Sequence, residues 1–153
     1  MFCGLVLLAA LGAAVAQLKT QCEFVGFLDS SQEHPVAYTA RCSPQPEGKM
    51  DVCSKLELSP CLANRNGQLQ ASRDSSTAGF KESCPSCHID ADGWTLSCLC
   101  KRMNNQYNYA SIDLDTVIYL QNDGIMACSG TVAKQLSECP YTRIGAPPVF
   151  SAV

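Results

Sequence analysis

Charged residues are scarce in this chain. They make up 16% of its 153 residues, against about 25% in ordinary globular proteins. The 11 Lys and Arg are outnumbered by 14 Asp and Glu, which gives a net charge of −3. This balance argues against a nucleic acid or an anionic membrane as a partner, because both attract cationic surfaces. Hydrophobic residues still make up 46%, enough to bury the core of one compact domain or two small lobes.

The familiar catalytic motifs are also missing. The chain has no G-x-S-x-G, H-E-x-x-H, G-x-x-x-x-G-K or G-x-G-x-x-G. Its two histidines, His34 and His88, have no matching nucleophile or ligand set, which favours structural or surface roles. Asp113 and Asp115 lie two positions apart, but no other feature supports a catalytic carboxylate pair. We therefore expect a protein that is not an enzyme.

The one long apolar run lies at the start of the chain. Residues 1–16 read MFCGLVLLAALGAAVA, a run too short to span a bilayer that ends in the small residues typical of signal peptidase cleavage. A buried N-terminal helix is the alternative. No later apolar stretch approaches the length of a membrane span, so we expect a secreted, extracellular protein.

Cysteine is abundant. The chain has 11, and ten of them follow residues 1–16. An even number in an exported chain predicts that all ten form disulfides. Two alternatives stay open for the closely spaced Cys84, Cys87, Cys98 and Cys100. They would form a zinc site with the adjacent His88, or Cys84 and Cys87 would form a redox pair.

The chain repeats itself. Residues 18–22, LKTQC, are echoed by residues 80–84, FKESC, with an apolar residue four places before a cysteine. Residues 56–58, LEL, correspond to residues 112–114, IDL. The offset between copies is 62 residues at the first match and 56 at the second. Two copies are too few for a solenoid, so we expect a closed, two-lobed fold with pseudo-twofold symmetry.

Within each copy the elements are short and extended. Residues 36–42, 94–98 and 111–114 alternate apolar and polar positions, as half-buried strands do. Asn66-Gly67 and Asp123-Gly124 predict hairpins with type I′ turns, which need positive φ at both central residues. Between the copies, residues 70–79 form a polar connector. Residues 131–138 are expected to form one or two helical turns, followed by a loose tail at 145–153.

This order of features resembles the cyanovirin-N homology family of carbohydrate-binding proteins. The resemblance is strongest over residues 80–125, where the spacing from Cys100 to the I-D-L of residues 112–114 matches family repeats. The first copy departs from the pattern at Pro44, Pro46 and Cys53. The resemblance implies an all-β fold of two pseudo-symmetric tandem repeats, which form one double-lobed, disulfide-stapled domain in which each lobe receives a hairpin from the other repeat.

The resemblance also sets the expected domain bounds and disulfides. We expect a domain over residues 17–128, with repeats at 18–69 and 80–128, a hinge at 70–79 and a C-terminal extension at 129–153. By position, the resemblance implies the disulfides Cys22–Cys42 and Cys84–Cys100. The other cysteines are assigned more loosely, because connectivity cannot be read from sequence: Cys87–Cys98, Cys53–Cys61 and Cys128–Cys139.

The resemblance further implies binding of oligosaccharides, typically mannose-rich, or of glycoproteins, with no metal or other cofactor. Secreted members are familiar from filamentous fungi. A neutral sugar needs hydrogen-bond donors and acceptors at close spacing rather than charge. The stronger of two implied sites lies near Ala78 and Gly79 and comprises Asn64, Asn66, Glu82, Ser83, Lys101, Arg102, Asn104 and Asn105. The weaker site comprises Thr20, Gln21, Ser43, Gln121, Asn122 and Asp123.

Trp94 and at least one of Tyr107 and Tyr109 are expected to pack rather than to bind. Tyr107 and Tyr109 offer rings for stacking on a sugar, but their alternation predicts that at least one packs in the core or across strands. Trp94, the single tryptophan, is also expected to pack.

Two other functions fit the sequence. One is a secreted interaction or effector protein that keeps the fold without the sugar site, as the altered first copy suggests. The other is a thiol oxidoreductase that uses Cys84 and Cys87. Exchange of halves across residues 70–79 would give a swapped dimer, but the length of this connector leads us to expect mainly monomer.

Overall fold

The computed structural model describes residues 17–29, 36–44, 49–73, 79–129 and 131–140. The predicted signal peptide, the tail at 145–153, His34, Pro46 and Ala78 lie outside the described residues. Each repeat folds in the same order, with a short helix, a three-stranded sheet, a 3-10 turn and a two-stranded hairpin. This shared order confirms the internal repeat.

The first repeat builds an antiparallel sheet on β2. Its order is β1-β2-β3, with Cys22 opposite Cys42 and Cys42 opposite Val52. The central strand carries the apolar positions predicted at residues 36–42 and is almost entirely buried. The elements are α1 (Gln17–Gln21), β1 (Cys22–Leu28), β2 (Ala37–Cys42), β3 (Val52–Glu57), the 3-10 turn Ser59–Cys61, β4 (Leu62–Arg65) and β5 (Gln68–Ala71).

The second repeat builds the matching sheet on β7. Its order is β6-β7-β8, with Cys87 opposite Cys98 and Cys100 opposite Asn108. The elements are α2 (Phe80–Ser83), β6 (Ser86–Ile89), β7 (Thr95–Lys101), β8 (Tyr107–Asp113), the 3-10 turn Leu114–Thr116, β9 (Tyr119–Leu120) and β10 (Met126–Cys128).

The hairpins are exchanged between the repeats. The β4–β5 hairpin of the first repeat packs against α2 and β8 of the second. The β9–β10 hairpin of the second repeat packs against α1 and β3 of the first. Each lobe therefore contains a hairpin from the other repeat, and the predicted all-β, double-lobed architecture is confirmed.

The segment after β10 is extended. Strand β11 (Thr131–Val132) pairs with β10, and β12 (Lys134–Gln135) pairs with β3 as a fourth strand of the first sheet. The prediction of helical turns over residues 131–138 is wrong. The open edge of β3 supplies hydrogen bonds that an isolated helix of two turns cannot match, and the Leu136 amide donates to the Cys53 carbonyl at 2.9 Å.

All ten cysteines of the described residues form disulfides. The predicted pairs Cys22–Cys42, Cys84–Cys100 and Cys87–Cys98 are confirmed. The predicted pairs Cys53–Cys61 and Cys128–Cys139 are wrong, because the exchanged hairpin and β12 bring distant cysteines together as Cys61–Cys128 and Cys53–Cys139. Since Cys84 and Cys87 bond to Cys100 and Cys98, neither the zinc site nor the Cys84–Cys87 redox pair forms.

The core runs through both lobes. Its largest fully buried side chains include Tyr38, Leu56, Leu58, Leu96 and Leu114. Trp94 is partly buried and packs against this core, as predicted. Tyr107 and Tyr109 are both exposed, so neither is a core residue, and across the strands Tyr107 lies opposite Lys101 and Tyr109 opposite Leu99. None of the helices in the described residues is long and apolar enough to cross a membrane.

The two predicted turns differ. Asn66 and Gly67 have φ of 50° and 83°, as a type I′ turn requires. In the second hairpin Gly124 has φ of 84° but Asp123 is not among the positive-φ residues, so a type I′ turn is wrong there. The Gln121 amide instead donates to the Ile125 carbonyl at 2.9 Å, which closes a longer loop.

Candidate functional site

The tip of the β4–β5 hairpin lies against the loop that joins β7 to β8 in the other repeat. The Met103 amide donates to Asn66 Oδ1 at 2.9 Å. The Asn108 side-chain amide donates to the Gly67 carbonyl at 3.0 Å. These two contacts dock the hairpin tip onto the second repeat and create a junction between the copies.

Asn64 holds three elements together at this junction. Its Nδ2 donates to Ser83 Oγ at 3.0 Å and to the Lys101 carbonyl at 2.9 Å. Its Oδ1 accepts from the Gly67 amide at 2.8 Å. The side chain therefore positions the hairpin against α2 and β7, a structural role within the predicted site.

The β7–β8 loop is shaped by its own polar groups. The Arg102 amide donates to the Gln106 carbonyl at 2.7 Å, and the Asn105 amide donates to the Arg102 carbonyl at 3.0 Å. Asn104 Oδ1 accepts from the Gln106 amide at 3.1 Å. Asn105 has φ of 64°, a left-handed conformation that asparagine tolerates better than most residues. Asn104 and Asn105 thus fix the loop that carries Arg102.

A polar pocket of about 400 Å³ opens at the junction. Five side chains from both repeats line it: Arg65, Asn66, Gln68, Arg102 and Asn108. Among the buried side-chain oxygens and nitrogens of the described residues, Asn108 Oδ1 is the one that lacks a hydrogen-bond partner. Arginine, asparagine and glutamine supply donors and acceptors in fixed directions, so the pocket can bind a ligand rich in hydroxyl groups.

The fold brings most residues of the predicted stronger site together at the pocket junction. Asn66 and Arg102 line the pocket, while Asn64 and Ser83 support it. Glu82 and Lys101 are exposed next to these supports, at Ser83 of α2 and at the end of β7.

Three pocket residues were missed by the sequence analysis. They are Arg65, Gln68 and Asn108. Alternation in β8 is the signal that points to Asn108, because it places this residue on the face opposite Tyr107 and Tyr109. Arg65 and Gln68 flank the predicted Asn66-Gly67 turn and carry no pattern of their own.

Residues of the predicted weaker site also lie close together, at a second junction between the repeats. The Ser43 amide donates to the Gln21 carbonyl at 2.8 Å, and Ser43 Oγ donates to Asp51 Oδ1 at 2.9 Å. A Cβ on Gly124 would lie 3.3 Å from the Pro44 nitrogen, so the loop of Gln121, Asn122 and Asp123 meets the end of β2.

Two apolar residues distinguish the predicted weaker site from the junction that holds the polar pocket. Val52 pairs with Cys42 where Asn108 pairs with Cys100, and Pro44 stands two residues after its cysteine where Arg102 stands in the second copy. Thr20 and Asp123 make local hydrogen bonds, from Thr20 Oγ1 to the Gln17 carbonyl at 3.5 Å and from the Ile125 amide to Asp123 Oδ1 at 3.0 Å. This junction therefore lacks the polar pair that lines the pocket.

Acidic and metal-binding groups do not gather at either junction. Within the described ranges, no cluster of three or more His, Cys, Asp or Glu side chains is arranged to hold a metal ion. His88, the histidine for which the structure gives a position, lies on β6 with its Nε2 3.1 Å from Asp90 Oδ1.

Solved structures share this fold at low sequence identity. A CVNH protein of Gibberella zeae is 15% identical, with a TM-score of 0.55 over 75% of this chain and 99% of the other. A variant of MoCVNH3 solved in complex with (N-GlcNAc)4 is 15% identical, with a TM-score of 0.52 over 69% and 93%. A CVNH protein of N. crassa is 15% identical, with a TM-score of 0.51 over 71% and 95%.

Sequence comparison gives a family but no individual relative. No curated protein matches the chain at a significant level. The family model for the CVNH domain matches residues 19–122 and residues 80–152. The second match begins at Phe80, where the second repeat starts, and so follows the internal duplication. On this match and the exchanged hairpins, the chain belongs to the cyanovirin-N homology (CVNH) family.

Proposed function

We propose that this protein is a secreted lectin that binds an oligosaccharide at the junction pocket without a metal. The observation that carries the proposal is the convergence of Arg65, Asn66, Gln68, Arg102 and Asn108, from both repeats, on one open polar pocket. Family membership supports it, because two residues of the stronger site implied by the resemblance, Asn66 and Arg102, line this pocket.

The lining suits a neutral sugar. The guanidinium groups of Arg65 and Arg102 donate to hydroxyl oxygens, and the amide of Gln68 both donates and accepts. Neighbouring hydroxyls of one sugar ring both donate and accept hydrogen bonds, as these side chains do. Glu82 and Lys101 are exposed, next to Ser83 on α2 and at the end of β7, where they would contact the next sugar unit.

We further propose mannose-rich glycans as the preferred ligands and the cell exterior as the site of action. The first follows from the family resemblance. The second is supported by the apolar leader at residues 1–16 and by five disulfides in the described residues, which persist in oxidising compartments.

A second candidate is a secreted interaction protein that recognises a protein partner rather than a glycan. Val52 and Pro44 favour it. At the predicted weaker site these apolar residues stand where the pocket junction has the polar Asn108 and Arg102. Capture of a partner that survives complete removal of glycans from that partner would support this candidate over the lectin.

Calorimetric titration tests the lectin proposal. The oxidised protein is titrated with a high-mannose oligosaccharide and with a GlcNAc tetramer, in the presence and absence of EDTA. We expect saturable binding of the high-mannose glycan that EDTA leaves unchanged.

Two substitutions locate the binding. Arg102→Ala should weaken binding by about tenfold to a hundredfold, since hydrogen bonds to charged groups contribute about 1.5–3 kcal/mol. Lys55→Ala is the matched control, because Lys55 is an exposed cation on β3 of the other lobe. No binding by the folded protein, or equal effects of the two substitutions, would contradict the proposal.

A further inference from the structure

The outer face of the β6–β7–β8 sheet carries two exposed aromatic rings. Tyr107 is 51% exposed and Tyr109 is 81% exposed. They lie two residues apart on β8, so they point to the same side of the sheet about 7 Å apart along the strand. Strand β8 is the edge strand of this sheet, which leaves both rings open to ligands.

The adjoining strand places one charged and one apolar residue beside these rings. Lys101 lies opposite Tyr107, and Leu99 lies opposite Tyr109. Farther along the same face, Ser97 Oγ donates to Asp90 Oδ1 at 2.9 Å and lies 2.8 Å from Ser111 Oγ.

The chemistry of this face selects its ligand. The face carries Lys101, Asp90 next to His88, and Asp113 paired with Lys19, so charges of both signs are mixed and neither a polyanion nor a polycation is favoured. An exposed ring flanked by hydroxyl, amine and carboxylate groups suits a molecule that has both an apolar face and hydroxyl groups. A sugar ring has this character.

The face lies across strand β8 from the junction pocket. Asn108, which lines the pocket, lies between Tyr107 and Tyr109 in sequence and points to the opposite side of β8. The carbonyl of Lys101 accepts from Asn64 at the junction, while Lys101 pairs with Tyr107 across the strands. A chain that leaves the pocket therefore reaches the tyrosines by crossing a single edge strand.

We propose that Tyr107 and Tyr109 form an extended subsite, on which the inner sugars of a long glycan stack while its terminal sugars occupy the junction pocket. This proposal rests on the proposed function. It adds that affinity increases with glycan length and that the gain comes from the two rings.

Titrations with a short and a long ligand test it. Mannobiose fills the pocket alone, and a high-mannose oligosaccharide reaches both surfaces. The double variant Tyr107→Ala/Tyr109→Ala should bind mannobiose like the wild type and bind the long glycan about tenfold more weakly. Tyr109→Phe, which keeps the ring, should bind the long glycan within about twofold of the wild type.

Tyr119→Ala is the matched control, because Tyr119 is a 47% exposed tyrosine on β9, in the hairpin that packs on the other lobe. The proposal is overturned if the wild type binds both ligands equally, if the double variant matches the wild type on the long glycan, or if it weakens both ligands alike. Failure of the wild type to bind either ligand would instead reject the pocket, and with it the extension.

Discussion

Gly67 is the residue on which the pocket geometry depends most. Its φ of 83° is left-handed, and a Cβ there would lie 2.2 Å from Asn108 Oδ1 and 2.6 Å from Arg102 Cγ. Both neighbours line the pocket. Any side chain at position 67 therefore adds backbone strain and also displaces two of the proposed ligand contacts.

Gly67→Ala should destabilise the protein by more than Gly79→Ala and should also weaken glycan binding. Gly79 shares the positive φ, at 104°, but no atom of the described residues lies within 4 Å of a Cβ built there. Left-handed strain alone costs about 1–2 kcal/mol, so Gly79→Ala measures that part. Urea unfolding of both variants with the disulfides intact gives the comparison. Equal losses of stability would contradict the crowding inferred at Gly67.

Tyr38 makes a polar contact in the core that a single substitution can test. It is fully buried, and its hydroxyl donates to the Gly93 carbonyl at 2.8 Å. Burial raises the pKa of this phenol, so it stays a donor at neutral pH. Tyr38→Phe should cost about 1 kcal/mol in urea unfolding at pH 7. Tyr109→Phe, at an exposed ring, should not measurably change the free energy of unfolding. Equal losses in the two variants would contradict the role assigned to the Gly93 contact.

At the level of single residues, the sequence predicted the site only in part. Asn66 and Arg102 were found because the resemblance places a turn and a loop at their positions. Asn108 was missed because a polar residue within a strand gives no sign of which neighbour it meets. Its role depends on Gly67 from the other repeat, and such contacts are settled by packing rather than by local pattern.

Among the elements, the turn between β6 and β7 depends on one carboxylate. Asp92 Oδ1 accepts from the amides of Trp94 at 2.8 Å and Thr95 at 2.9 Å, and its Oδ2 accepts from Thr95 Oγ1 at 2.6 Å. The Thr95 hydroxyl and these amides lower the pKa of Asp92. Because the charged form is the better acceptor, the turn is held most firmly when Asp92 is ionised.

Asp92→Ala should therefore destabilise the protein in a pH-dependent way. At pH 7 we expect a loss of about 0.5–1 kcal/mol, as for a typical exposed hydrogen-bonded turn. The pKa is lower in the folded state, so the contribution is complete above the unfolded value of about 4 and disappears as the pH falls through the folded value. Unfolding free energies of both proteins between pH 7 and pH 2 should converge in acid. A constant difference would contradict this assignment.

The elements were predicted best where the pattern is local. Alternation identified β2, β7 and β8 from the local sequence, although β2 is buried at almost every position rather than on one face. Residues 131–138 were misread as helical because their conformation depends on β3, which lies some 80 positions away in the sequence, as Lys134 pairs with Lys55. The same long-range contact explains why Cys139 bonds to Cys53 rather than to its near neighbour Cys128.

At the scale of the whole molecule, two disulfides and two ion pairs among the described residues join the repeats, the ion pairs being Lys81–Asp29 and Lys19–Asp113. Cys61–Cys128 and Cys53–Cys139 each connect a cysteine before the connector at residues 70–79 to one after it. The buried amine of Lys81 on α2 contacts the Asp29 carboxylate after β1 and donates to the Pro85 carbonyl at 2.6 Å. Asp29 also accepts from the Cys87 amide at 2.9 Å.

Because two disulfides join the repeats, a gel run without reductant reports the oligomeric state. We expect a monomer by light scattering and a single monomer band without reductant. If halves were exchanged across residues 70–79, Cys61–Cys128 and Cys53–Cys139 would join two chains, and the dimer would be covalent. A dimer band that disappears on reduction would contradict the monomer.

The central claim is that the junction between the repeats binds glycan. The most direct measurement is a titration of the oxidised, isotope-labelled protein with a high-mannose oligosaccharide, followed through backbone amide shifts. We predict saturable shifts at residues 64–68, at Glu82 and over residues 101–108, with small changes in the turn at residues 121–124. A folded, disulfide-bonded sample whose amides do not shift, or shift only at residues 121–124 and around Ser43, would contradict the claim.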